Sequence, residues 1–182
     1  MSQSGIASRY VKPILEIAIE KNQLEQVKSD MNNFQNVCKQ NPDFLAMLKS
    51  PVISHLKKDQ ILKQIFKGKV TDITLSLFSI ITRKNRELIL PFVADEFIKQ
   101  YNLKMGIVNA TVTTAVPLSK NLVADFEKTV NKITGKKPVL KEEVDSEIIG
   151  GYILKLDDLQ LDESMSGQLK SLKLNFSRES KN

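Results

Sequence analysis

Paired carboxylates stand at Glu142-Glu143 and at Asp157-Asp158, the residue type that general acid–base chemistry uses in twos. Such a pair works only in a pocket that gives its members different environments. Neighbours on a strand point to opposite faces, so both pairs read as solvated turn and edge charges. The single histidine, His55, follows Ser54 at a helix start and reads as a partly exposed surface residue. One histidine rules out His-rich metal sites and disfavours His-based catalysis. The single cysteine, Cys38, can form no internal disulfide and lies on an apolar seam, where it reads as core rather than nucleophile. Gly150-Gly151 lacks the later glycine and the following helix of a dinucleotide loop. Two residues without side chains in a strand point instead to close backbone approach or a bulge. Lys57-Lys58 with Lys63, Lys67 and Lys69 form a basic run. It reads as the wet face of a helix, and it is the one place where a phosphate or an acidic partner could dock. No catalytic, metal or cofactor site assembles from these residues.

The composition agrees. Of 182 residues, 41% are apolar and 26% charged, a balance that excludes a disordered chain. No run approaches the roughly 20 apolar residues that span a bilayer. The opening Met1-Ser2-Gln3-Ser4-Gly5 has neither the basic nor the apolar stretch of a signal peptide. These features predict a soluble, intracellular, non-enzymatic chain. The net charge of +6, with an isoelectric point near 9.3, is unevenly spread. Residues 1–105 hold 16 Lys and Arg against 10 Asp and Glu, whereas 106–182 hold 11 of each. The first part is therefore suited to an acidic partner. Arginine occurs only as Arg9, Arg83, Arg86 and Arg178, and tryptophan is absent. Base reading and base stacking are thus poorly supplied, and no nucleic acid is expected.

The elements that must position these residues change in kind along the chain. Ile6, Val11, Ile14, Leu15 and Ala18 keep helical spacing, as do Leu24, Val27, Met31, Phe34 and Cys38. Pro13 predicts a bend or a late start in the first helix. Asn41-Pro42 opens a short helix with Phe44, Leu45 and Leu48, and Ser54 caps one carrying Leu56, Ile61, Leu62, Ile65 and Phe66, stopped by Gly68. From Ile73 to Ile81 apolar residues cover nearly the whole circumference, which predicts a central helix buried on most sides. Ile89, Val93, Phe97 and Tyr101 stripe the last helix, where Pro91 requires a late start or a kink near residue 90. After Gly106 the period falls to two. Val108 to Val116 reads as a strand, Ser119 to Gly135 as a capped helix with Leu122, Phe126, Val130 and Ile133 on one face, and Val139–Val144 and Ile148–Leu156 as two more strands joined at Asp145-Ser146-Glu147. A final helix carries Met165, Leu169 and Leu172, capped by Asp162 or Ser164. The fold class is therefore an N-terminal bundle of about six helices (1–105) followed by a small C-terminal α/β domain (106–182) of about three strands and two helices.

Four landmarks in this order carry a resemblance. They are Ala7-Ser8-Arg9-Tyr10-Val11-Lys12 with Leu15-Glu16-Ile17-Ala18; Asn41-Pro42 with Leu48-Lys49-Ser50-Pro51-Val52-Ile53; Asn85-Arg86 with Leu90; and Val144-Asp145, Ile148-Ile149-Gly150-Gly151-Tyr152 and Leu154 leading to Leu161-Asp162, Ser164-Met165-Ser166-Gly167-Gln168-Leu169. Together they resemble, over nearly the whole chain, the delta subunit family of bacterial F-type ATP synthases, the counterpart of the mitochondrial oligomycin-sensitivity-conferring protein. Ser166 stands where that family commonly has a basic residue.

The resemblance implies a non-catalytic peripheral-stalk subunit without cofactor or metal, taking part in ATP synthesis and ion transport as a peripheral protein on the cytoplasmic face of the bacterial inner membrane. It implies that the N-terminal bundle binds the N-termini of the alpha subunits and the C-terminal part the b-subunit stalk. A helix laid in a groove buries apolar area and resists slip under rotor torque. The groove is expected on the face shared by the first helix and the buried helix before Arg83. Tyr10, Ile14, Leu77 and Ile81 are its candidate contacts, although plain core packing has the same composition. The rival reading is an RNA-binding helical bundle using the Lys-rich face, which predicts steep salt dependence and leaves the pattern from Gly150 to Gln168 without an account.

Overall fold

Helix α1 (Gln3–Glu20) ends where Asn22 turns left-handed at φ 52°. The Gln23 amide then reaches back to the Ala18 carbonyl and the Asn22 amide to that of Ile19, the Schellman closure that an Asn tolerates. A computed structural model describes residues 3–156 and 159–170 of the chain, so Asp157-Asp158, Leu172 and Arg178 lie outside the described residues. The chain forms two compact units, Met1–Asn102 and Leu103–Asn182.

The first unit continues with α2 (Leu24–Gln40), α3 (Pro42–Lys49), α4 (His55–Phe66), α5 (Asp72–Arg83), a 3-10 turn (Glu87–Ile89) and α6 (Leu90–Lys104). Helix α1 runs through Pro13, and Pro91 falls in the first turn of α6, where its missing N–H costs nothing. Ser54 caps α4 by accepting from the Lys57 amide, as its position predicts. Phe34, Phe44, Phe66 and Phe78 meet at the centre, with Phe34 and Phe78 centroids 4.9 Å apart, and edge-on or tilted ring contacts favour such a cluster. Three ionic side chains among the described residues, Asp30, Lys58 and Glu87, are buried and partnered. Asp30 Oδ2 accepts from the Thr71 amide, Thr71 Oγ1 and Thr74 Oγ1, all at 2.8 Å, which pins the start of α5 to α2. Lys58 Nζ donates to the Leu48 carbonyl at 3.1 Å and lies 3.8 Å from Glu87 Oε2. Lys58 is therefore not on the wet face of its helix. Only Lys57, Lys63, Lys67 and Lys69 of the basic run are exposed.

Helix α5 also departs from expectation. It buries Ile73, Thr74, Leu77, Phe78, Ile81 and Thr82, so two threonines take part of the core face, while Ile80 is 46% exposed. Thr82 can do this because its hydroxyl donates to the Phe78 carbonyl at 2.7 Å.

In the second unit β1 (Ile107–Thr114), α7 (Lys120–Thr134) and β2 (Lys137–Val144) form a parallel β-α-β unit, and β3 (Tyr152–Leu156) and β4 (Leu159–Asp162) add antiparallel strands in the order β2-β1-β3-β4. Val108, Ala110, Val112, Val130, Leu154 and Leu156 make its core. Ser119 caps α7, and Gly135 closes it at φ 66°. Three features of this unit differ from the sequence-based expectation. The third strand starts at Tyr152, so Gly150-Gly151 precede it rather than lie within it. A fourth strand, β4, was not legible. And α7 buries only Val130 of its expected face, leaving Leu122 and Ile133 exposed.

Candidate functional site

Helix α5 ends in a second left-handed asparagine, Asn85 at φ 53°. The Asn85 amide bonds to the Thr82 carbonyl and the Arg86 amide to the Ile81 carbonyl, again a Schellman closure. This turn fixes where Arg86 leaves the helix. Its Nη1 donates to the Tyr10 hydroxyl at 3.2 Å, joining α5 to α1 across 76 residues of sequence. Lys84 Nζ lies 5.6 Å from the Tyr10 ring centroid. The two landmarks Arg9-Tyr10 and Asn85-Arg86 thus meet at one place, with Arg9 exposed on the same turn of α1.

The four residues expected to form a groove divide. Tyr10 is half-buried at the surface. Ile14, Leu77 and Ile81 are core residues, at 8%, 2% and 0% exposure, and they serve the packing of α1 on α5. The exposed side chains of this face are others. Tyr10, Pro13 and Ile17 follow one another on α1 at steps of three and four, and Pro13 and Ile17 are exposed. On α5 Ile80 sits one turn before Lys84, the residue that reaches Tyr10. Spacing from Tyr10 would have found Ile17. Ile80 was hidden because apolar residues from Ile73 to Ile81 cover nearly the whole circumference of α5.

The tail landmark forms a second junction, within the second unit. Asp145 accepts from the Glu147 amide at 2.9 Å and starts a 3-10 turn, Ser146–Ile148. Ile149 follows at φ 66°, ψ −43°, and the Gly150 amide closes on the Ile148 carbonyl at 2.7 Å. This is a γ-turn with positive φ, strained for a β-branched residue, and Ile149 is exposed. Gly151, at φ 78°, then passes against the backbone of Glu163 and Ser164, so closely that a Cβ would collide with the Glu163 carbonyl oxygen. The Met165 amide donates to the Gly150 carbonyl (3.0 Å) and the Glu163 amide to the Tyr152 carbonyl (2.9 Å).

Ser164, wholly buried, is the cap of the closing helical segment, 165–170. Its hydroxyl accepts from the Gly167 amide at 3.0 Å and donates to Asp162 Oδ1 at 2.6 Å. Ser166 Oγ joins at 3.1 Å from Ser164 Oγ. Gly167 is needed because a Cβ there would lie 2.6 Å from Asp162 Oδ1. The Ser164 hydroxyl, then its amide, hold the Asp162 carboxyl below its ordinary range; slight desolvation opposes them and Lys170 assists. Asp145, Gly150, Gly151, Asp162, Ser164 and Gly167 therefore build one clasp that aims the helical segment 165–170. Leu169, on that helix, and Met165 are exposed.

Cys38 and Tyr101 serve packing. Burial, with Asp95 adding to it, pushes the Cys38 thiol up to about 11. Burial also raises the Tyr101 hydroxyl to about 12, helped by its hydrogen bond to Glu25. Glu142 and Glu143 are exposed, and Glu143 pairs with Lys141 at 2.7 Å. Among the described residues no helix is long and apolar enough to cross a membrane.

Comparison with known proteins adds to this geometry. Residues 6–176 match the family model described as the ATP synthase delta (OSCP) subunit. An ATP synthase subunit delta from Cytophaga hutchinsonii is 37% identical over 179 residues, covering 98% of each chain. Another, from Christiangramia forsetii, is 40% identical over 172 residues, covering 94% of this chain and 93% of its own. The fold matches a chain of the Toxoplasma gondii mitochondrial ATP synthase hexamer with a TM-score of 0.72 at 24% identity, over 93% of this chain and 96% of that one. The chain belongs to the ATP synthase delta (OSCP) subunit family.

Proposed function

We propose that the chain is a non-catalytic stator subunit. Its first unit holds the N-terminal helices of the alpha subunits on the catalytic head, and its second holds the b-subunit stalk of the membrane sector. It works on the cytoplasmic face of the bacterial inner membrane, attached through the complex. The observation that carries this reading is the meeting of landmark residues, 76 positions apart for Tyr10 and Arg86, at rigid junctions beside exposed apolar side chains.

On the first unit the strip of Tyr10, Pro13, Ile17 and Ile80 offers one apolar flank to an amphipathic helix. On the second, Leu122 and Ile133 of α7, Leu159 and Leu161 of β4, and Met165 and Leu169 offer apolar surface among equal numbers of acidic and basic residues, which suits a mixed-charge helical stalk. Holding the head against the rotor needs slow dissociation. Rigid surfaces lose little ordering entropy on binding and so favour it.

The RNA-binding alternative gains nothing from the structure, since Lys58 leaves the basic face for a buried ion pair. The test is capture by the immobilised full chain of the isolated catalytic head and of a soluble b-subunit stalk, separately and together. The reading predicts binding of each and a ternary complex. Failure to retain either one contradicts it.

A further inference from the structure

The junction at Tyr10 carries more positive charge than its surroundings neutralise. Lys84 and Arg86 flank one phenol, from 5.6 Å to the ring centroid and 3.2 Å to the hydroxyl respectively. Among the described residues neither has a carboxylate within ion-pair distance, whereas Lys58, Lys63, Lys128 and Lys141 each do. Two like charges on one turn repel, and an anion set between them converts that repulsion into attraction. The donors are in place. Tyr10 accepts from Arg86 and so keeps its own proton to give, Arg86 has N–H groups to spare, and Lys84 has an ammonium. The Schellman closure at Asn85 holds the backbone from which both cations extend.

We propose that this tip receives a side-chain carboxylate from the partner helix that lies along Tyr10, Ile17 and Ile80, and so sets the register of that helix. The inference rests on the docking reading above. Apolar contact alone lets an amphipathic helix slide by a turn, whereas a charge contact at one end of the strip penalises every other register. A carboxylate fits better than a free anion because the strip of apolar side chains continues away from the cations and needs a peptide to cover it.

Calorimetry of the full chain with a synthetic peptide of the same organism's alpha-subunit N-terminus tests this. Lys84→Gln with Arg86→Gln should weaken binding by about tenfold at low salt and less at high salt. Arg86→Lys should retain most of the affinity. Among peptides with one Glu or Asp neutralised, one should lose about the same factor on the native chain and lose nothing further on the double variant. A double variant that binds as tightly as the native chain overturns the proposal, and so does a double variant whose loss adds fully to that of every neutralised peptide. Competition by millimolar inorganic phosphate would reassign the tip to a free anion. Absence of binding by the native, folded chain overturns the docking reading and this inference with it, so the two failures are told apart by the native chain alone.

Discussion

Gly151 and Gly150 are neighbours of one kind with opposite tolerances. At Gly151 an added Cβ meets the Glu163 carbonyl, and φ is positive; at Gly150 it would meet only Met165 Cγ at 3.5 Å, an ordinary contact. Gly151→Ala should therefore destabilise the second unit by about 3 kcal/mol, and Gly150→Ala by less than about 1 kcal/mol, as read by denaturant unfolding. Equal losses would mean that the clasp does not depend on that close approach. The Asp162 carboxylate gives a second residue-scale outcome. Its folded pKa is lowered by Ser164, so its contribution is present above the unfolded value of about 3.9 and is lost as pH falls through the lower folded value. The Ser164 amide resonance should titrate with a midpoint below that of a free aspartate, and Asp162→Asn should abolish the transition. A midpoint at or above about 4 would contradict the cap geometry.

Along α5, core and exposed surface lie side by side. Leu77, at 2% exposure, faces inward, whereas Ile80, three residues on, is 46% exposed. Leu77→Glu buries an unpaired charge and should unfold the first unit, while Ile80→Glu should leave the melting temperature within a few degrees and weaken alpha-peptide binding by about tenfold or more. Circular dichroism melts with calorimetry decide it; native-like binding by a folded Ile80→Glu chain would remove α5 from the interface.

The sequence was legible where local chemistry decides local structure. Ser54 and Ser119 cap their helices, Gly135 closes α7, and Pro91 sits in the first turn of α6. It was opaque where partners distant in sequence decide. Asp30 is buried because Thr71 and Thr74 meet it 41 and 44 residues later, and Lys58 because Leu48 and Glu87 do. Strand β4 is hard to read because its Leu-Gln-Leu-Asp alternation spans only four residues, all exposed at a sheet edge, and its pairing with β3 defines it. The landmarks Tyr10, Arg86, Gly151 and Ser164 were legible as positions, but what they touch required the fold.

At the scale of the molecule, two units each pair a rigid junction with exposed apolar side chains. The positive excess lies wholly in residues 1–105. A chain built this way suits the holding of partners, and on the proposed reading the first unit's hold responds to salt through Lys84 and Arg86, with the apolar strip supplying the remainder. Calorimetry of the full chain against the alpha-subunit N-terminal peptide, at low and high salt and at several temperatures, measures the first unit's proposed hold. The account predicts saturable binding with a negative heat-capacity change, losing no more than about tenfold in affinity at high salt. Binding without a heat-capacity change that vanishes at high salt, or no binding by the folded chain, would contradict it.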